Sequence, residues 1–223
     1  MSMKVYTVSG APRPWRVLLG LAFKGIAFER VILEATRGDL KAEEFLAINK
    51  RGKVPVVIDG EIVLRDSIAS LAWLDRAYPD RPLFGETLAE AATIWQMVEE
   101  MAEYLRPAQN AVLSPIFFDG ATEATPALGE AAQTLLAELQ PVEDALSQSE
   151  FLAGATPSAA DAVVFPEVRI LQRANETFGD VMTGLGLGEL YSRFPATRAW
   201  VGRIEALPGC PATFPPHWTA RAA

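Results

Sequence analysis

Arg51-Gly-Lys-Val-Pro-Val-Val-Ile-Asp-Gly-Glu-Ile-Val-Leu-Arg-Asp-Ser67 places two short apolar runs, Val56 to Ile58 and Ile62 to Leu64, on either side of Asp59-Gly60. The backbone of Asp-Gly readily takes positive φ, so the stretch reads as a hairpin turning at that pair. Behind it, Asp66 or Ser67 can cap the run Ile68-Ala-Ser-Leu-Ala-Trp-Leu74, whose apolar residues recur at helical spacing. Pro55 heads the first strand, where it has no N–H to give to a ladder, and the backbone of Val54 beside it is a candidate for pairing with something outside the protein. A peptide-like ligand suits that edge.

The hairpin ends on groups that would hold both ends of an amino acid. Ser67 at a helix start offers a hydroxyl and nearby backbone N–H groups to a carboxylate, and Asp66 can accept from an ammonium. A plain N-cap role for either residue, and a strand-edge stop for Pro55, is the alternative for each residue taken singly. Lys50, Arg51 and Lys53 form a basic cluster beside the hairpin. It reads either as a solvated patch or as cations reaching the terminal carboxylate of an anionic peptide.

Upstream, Lys4-Val-Tyr-Thr-Val8 is a β-rich run, Ser9-Gly-Ala-Pro-Arg-Pro14 a turn cluster, and Trp15 to Lys24 a helix with Pro14 in its first turn and Gly25 at its end. Ala27-Phe-Glu-Arg-Val-Ile-Leu33 is a second strand, so the first three elements imply a parallel pair with a right-handed crossover. Lys41 to Ile48 adds a short helix. The order becomes βαβαββα, the thioredoxin-like arrangement of a mixed four-stranded sheet with helices on both faces.

Beyond residue 78, Pro79-Asp-Arg-Pro-Leu-Phe-Gly85 breaks the helical periodicity on both sides and reads as a linker, 79–87, between a first domain, 1–78, and a second, 88–223. The second domain reads as all-helical. Ile94, Met97, Val98, Met101 and Leu105 give an amphipathic pattern over 87–106, with Pro107 a stop or kink, and Gly129 to Leu146 repeats that character with a bend or break at Pro141. Ser158 and Asp161 have capping-box spacing ahead of an apolar helix. Pro195 to Leu207 is a late helix ended by Pro208-Gly209.

Composition bounds the function. Half of the 223 residues are hydrophobic, enough for a substantial core. One cysteine, Cys210, forms no intramolecular disulfide, and nothing at the N-terminus suggests export, so a reducing cytoplasm is expected. No uncharged apolar run suits a bilayer, and a formal net charge of −8 argues against a nucleic-acid partner. A single histidine, His217 in a Pro-rich tail, makes with Cys210 no metal set and no Cys–His nucleophile pair. Gly184-Leu-Gly-Leu-Gly188 lacks a preceding strand and reads as a loop.

Asn49-x-x-Gly-Lys-Val-Pro55, the Asp-Gly turn and Asp66-Ser67-Ile-Ala69 together resemble the glutathione site of the glutathione transferase superfamily. The resemblance implies a thioredoxin-like domain followed by an all-α domain, a cis Pro55, backbone pairing of Val54 with the cysteinyl unit, and Asp66 and Ser67 on the γ-glutamyl group. Lys53 joins them as a binding residue, and many members carry Glu where Asp66 stands. Trp15-Arg-Val-x-x-x-Leu-Ala-Phe-Lys-Gly-Ile26 is similar to the first helix of zeta-related members, and Ser158 with Asp161 to the cap of the buried central helix.

Serine- and cysteine-type members carry a hydroxyl or thiol where the first helix begins, and alignment on Trp15-Arg-Val17 puts Ala11 there. Ser9 and Arg13 are the groups left to activate a thiol, beside the helix dipole. Ser9 also reads as a turn residue bonding its own backbone. Arg13 also reads as an exposed loop cation, and Tyr6 as part of the sheet.

The implied activity is attack of the thiolate of glutathione, the co-substrate, on a small-molecule electrophile, by a homodimer. A catalytically weak ligand-binding or interaction module, with Ala11 as its mark, and a zeta-like isomerase of a maleyl-type acid are the alternatives.

Overall fold

A computed structural model of the chain describes residues 3–219. Two compact units emerge: residues up to 86 together with those from 205 on, and residues Thr87–Ile204.

In the first unit, β1 (Met3–Thr7), α1 (Pro12–Lys24) and β2 (Phe28–Ile32) form the expected parallel crossover, with Met3 opposite Phe28 and Thr7 opposite Ile32. Two 3-10 turns lead into α2 (Glu43–Ile48), and β3 (Val56–Asp59) then runs antiparallel to β1 with Tyr6 opposite Val56. β4 (Ile62–Leu64) closes the sheet in the order β2-β1-β3-β4, and α3 (Ser67–Ala77) follows. The mixed sheet and its order match the thioredoxin-like expectation. Buried Val5, Val56 and Val57 of the strands and Val17, Leu18, Leu21, Leu71 and Leu74 of α1 and α3 make its core.

Two local details differ from the sequence reading. Asp59 pairs with Ile62, so the two turn residues are Gly60-Glu61, one position later than expected, and Gly60 supplies the positive φ of 58°. Asp59 stays a strand residue, and its carboxylate accepts from the Tyr78 hydroxyl at 2.9 Å. The segment 79–85 is packed rather than a free linker. Asp75 accepts from the amides of Leu83 (2.5 Å) and Phe84 (3.2 Å), Lys24 donates to the carbonyls of Asp80 and Arg81, and Leu83 is buried.

In the second unit, α4 (Leu88–Glu100) starts at a capping box in which Thr87 and Glu90 bond reciprocally. A π turn at Met101–Leu105 joins it to α5 (Arg106–Phe118). Pro107 therefore does not stop the run: the wider turn just ahead of it accommodates a residue that has no N–H and crowds the carbonyl one turn back. α6 (Pro126–Leu146) likewise continues through Pro141.

The unit continues with α7 (Ala159–Thr177), α8 (Gly179–Gly184), α9 (Leu190–Arg193) and α10 (Pro195–Ala206). Gly184 closes α8, and the glycines after it belong to a turn and loop. Fully buried Asp161 accepts from the amides of Ser158 and Leu152, the Ser158 hydroxyl and Trp200 Nε1, at 2.8 to 3.0 Å. Burial raises its pKa against the pull of those hydrogen bonds. Glu143 of α6 accepts from the amides of Ala196 and Thr197 at 2.8 Å each, covering the first donors of α10.

After α10 the chain forms a 3-10 turn, Cys210–Thr213, and a last short helix, α11 (Pro216–Thr219). This end belongs with the first unit, which corrects the expected 88–223 division. Trp15 Nε1 donates to Thr213 Oγ1 at 2.9 Å, and Arg30 of β2 donates to the carbonyls of Thr213 and Phe214. No periodicity in the tail announces those contacts.

Asp161→Ala orphans three buried N–H donors, each worth about 1–3 kcal/mol. The helical unit should lose at least about 3 kcal/mol, read as a large fall in its thermal or urea midpoint, with the secondary structure of the first unit retained.

Candidate active site

The sheet register gathers one end of the first unit. Because β3 is antiparallel to β1 and starts opposite Tyr6, the chain leaving β1 at Val8-Ser9 lies where the chain enters β3 at Val54-Pro55. Leu64, the last residue of β4, stands opposite Val57, so Asp66-Ser67 leaves the sheet at that same end. Three stretches distant in sequence, Ser9 to Arg13, Lys53 to Pro55 and Asp66-Ser67, thus share one edge.

The loop ahead of β3 is held by one buried side chain. Asn49 donates from Nδ2 to the Lys53 carbonyl at 2.7 Å and accepts the Arg51 amide on Oδ1 at 3.2 Å. Gly52, at φ 58°, accepts no side chain: a Cβ there would stand 2.7 Å from the Leu40 carbonyl oxygen. The Asn49-x-x-Gly52 spacing is thus what delivers Lys53 and Val54 to the edge. The Val54–Pro55 peptide is cis, Pro55 is buried and Lys53 is exposed.

At the head of α3, Asp66 is the N-cap: its Oδ1 accepts from the amides of Ile68 and Ala69 at 2.8 and 2.9 Å. Of the two capping candidates left open by the sequence, Asp66 takes the role. It keeps a second carboxylate oxygen for another donor, while those two amides are already used. Ser67, first in α3 and 2% exposed, forms no hydrogen bond through its hydroxyl among the described residues.

At the head of α1, Ala11 is the N-cap and contributes no side-chain bond. The Ala11 amide donates to the Val8 carbonyl at 3.1 Å, and Pro12 and Pro14 carry no N–H. In this first turn the amide of Arg13 is the donor that remains, together with the positive end of the helix dipole. The Arg13 side chain is exposed. Tyr6 lies in β1 with its ring 5.8 Å from that of Phe45, a sheet role as expected.

Ser9 lies in the expected turn, but its hydroxyl bonds a distant side chain rather than its own backbone. Its Oγ lies 2.7 Å from Nδ1 of His217, 208 residues away, in a hydrogen bond between side chains. His217 is the functional candidate that sequence reasoning missed. It carries no motif, and only the return of the tail over α1 brings it to Ser9.

The other singled-out groups are not among these three stretches. Cys210 is fully buried, and burial pushes its thiol up to about 11. Met97 and the buried Met101 both line a cavity of about 540 Å³ between α4, the π turn, α6 and α7, with Glu100, Tyr104 and Glu138 also on its wall. Among the described residues no cluster of three His, Cys, Asp or Glu side chains stands ready for a metal, and no helix is long and apolar enough to cross a membrane.

Comparison with known proteins gives the chain a family. Residues 1–76 match the family model of the glutathione S-transferase N-terminal domain, and residues 94–208 that of its C-terminal domain. The chain belongs to the glutathione S-transferase superfamily, whose members use glutathione as co-substrate. Glutathione S-transferase 1 of Dianthus caryophyllus is 35% identical over 115 residues, 51% of this chain and 52% of that one. The chain thus spans about half the length of this relative, and of a zeta-class glutathione S-transferase of Euphorbia esula, in the matched region. A probable glutathione S-transferase of Oryza sativa subsp. japonica is 30% identical over 92% of both chains. The crystal structure of a glutathione S-transferase from the Antarctic clam Laternula elliptica aligns with a TM-score of 0.84 and 27% identity over 99% of this chain and 95% of that one.

Thiol reagents react with the thiolate, so a thiol titrating at about 11 is one part in about a thousand reactive at pH 8. Native protein should therefore leave Cys210 unmodified by iodoacetamide, and denatured protein should incorporate one equivalent; rapid labelling of the native chain would contradict this burial.

Proposed function

We propose that this chain is a glutathione-dependent transferase that binds glutathione at the shared edge and adds its thiolate to a small electrophile. The observation that carries the reading is the meeting of a buried Ser67 hydroxyl, a capping Asp66 carboxylate with an oxygen to spare, and the Val54 backbone beside cis Pro55. Val54 pairs with the cysteinyl unit, Ser67 donates to the γ-glutamyl carboxylate, Asp66 accepts from its ammonium, and Lys53 reaches toward the glycyl carboxylate.

The chemistry asked of the protein is small. Glutathione loses its thiol proton to solvent; the sulfur anion, held near the head of α1 by the Arg13 amide, the helix dipole and the Ser9 hydroxyl, forms a bond to carbon. The electron pair moves onto the electrophile, which either takes up a proton or expels a leaving group. Ala11 gives no hydroxyl to this step, so activation falls on Ser9 and Arg13. The binding-only reading draws on that same alanine. A homodimer belongs to the proposal through family likeness and a cytoplasmic setting through the single cysteine, and light scattering with size exclusion tests the dimer.

Asp66→Asn separates the two duties of this side chain. Asparagine caps a helix about as well as aspartate, so the melting temperature should hold, while loss of the charge facing the ammonium raises the glutathione Kd about tenfold. Ser67→Ala should weaken binding by a similar factor or more and Ser9→Ala far less, all read by calorimetry. Negligible and equal losses in the three variants would sink the site assignment.

A further inference from the structure

The hydrogen bond between Ser9 and His217 has a direction that the proposed chemistry determines. A serine hydroxyl has one proton to give and lone pairs to receive. If Nδ1 of His217 accepted that proton, Ser9 would turn only lone pairs toward a sulfur anion and would repel it. If Nδ1 carries the proton and donates to Oγ, the Ser9 O–H is free to point at the sulfur. The neutral Nδ1–H tautomer and the imidazolium both present that donor, so the arrangement does not require a charged histidine.

The surroundings fix the imidazole against Ser9. Trp15 of α1, bonded through Nε1 to Thr213, takes the rings of Phe214 and Trp218 edge-on at 5.0 and 5.3 Å, and Arg30 holds the Thr213 and Phe214 carbonyls. His217 is in turn edge-on to Trp218 at 6.2 Å. Gly10, at φ 81°, lies beneath the ring: a Cβ there would come within 3.1 Å of His217 Cε1. A glycine next to Ser9 is what lets the tail approach this closely.

We propose that His217 is a positioning residue for thiol activation, donating from Nδ1 to Ser9 Oγ so that the Ser9 hydroxyl donates to the glutathione sulfur. The inference rests on the glutathione reading above. It assigns to the C-terminal tail the job that a side chain at position 11 cannot do. No bond is made or broken by His217: the thiol proton leaves to solvent, and the histidine and serine only hold the hydrogen-bond chain that stabilises the anion.

The test is the thiol pKa of bound glutathione, read from thiolate absorbance in the ultraviolet for full-length wild type, S9A, H217F, H217N and the S9A/H217F double variant, with Kd from calorimetry. H217F keeps an aromatic ring beside Trp218 but has no Nδ1 donor, and H217N keeps an N–H near the Nδ1 position. The account expects a lowered pKa in wild type and a rise of about one unit, a tenfold loss of thiolate at fixed pH below the pKa, in S9A and in H217F. The double variant should rise no further, H217N should retain most of the lowering, and Kd measured at a pH below the bound-thiol pKa, where the thiol form binds, should change little.

A merely structural tail would move Kd or the melting temperature without this pattern. Should H217F fold poorly, H217Q, whose amide reaches the Nε2 position instead, gives the same readout. A wild-type pKa in H217F or H217Q, or a rise that adds to that of S9A, overturns the role of His217 and leaves the glutathione reading standing. Wild type that fails to bind glutathione, or binds it with an unshifted thiol, overturns the activation chemistry and this inference with it.

Discussion

The antiparallel pairing of β3 with both of its neighbours is the constraint on which the candidate site depends. With Tyr6 opposite Val56 and Val57 opposite Leu64, the chain must leave β1, enter β3 and leave β4 at one end of the sheet. Val56 and Val57 point to opposite faces of the sheet and both are fully buried, so the packing that fixes β3 on its two faces also holds Val54 and Pro55 at that edge. Two helix heads then arrive beside it, α1 after Ala11 and α3 after Asp66, each with the positive end of its dipole outward. The proposed ligand, an anionic peptide with a thiol, would meet backbone, dipole and side chain in one place.

Polar side chains with several partners each secure this frame. Asn49 shapes the loop that presents Lys53 and Val54, and Asp66 starts α3. In the helical unit, Asp161 gathers two loop amides, a hydroxyl and an indole, and Glu143 covers the first amides of α10. Such carboxylates sit where several helix or loop amides would otherwise be buried without acceptors, and removal of one exposes all of those costs at once.

Much of this was legible in the sequence because it is local. The hairpin, the βαβ unit, the Gly25 cap and the Ser158–Asp161 spacing each depend on residues a few positions apart, where periodicity and turn chemistry speak directly. The turn was misplaced by one residue because Asp59 is competent both as a turn residue and as a strand end, and cross-strand pairing decided it. Pro107 reads as a stop or kink and Pro141 as a bend or break; a π turn before the first and an uninterrupted helix through the second exclude the stop and the break, packing outweighing local propensity. The Ser9 to His217 contact was invisible, since 208 residues separate the pair and only the docking of the tail on Trp15 and Arg30 joins them.

The central claim, that this edge receives glutathione, is tested most directly by titrating glutathione into isotopically labelled protein and following backbone amide resonances. The account predicts saturable shifts concentrated at Ser9, Arg13, Val54, Asp66 and Ser67, with the amides of the helical cavity around Met97 and Glu138 little changed. Absence of shifts, or shifts confined to that cavity, would contradict it.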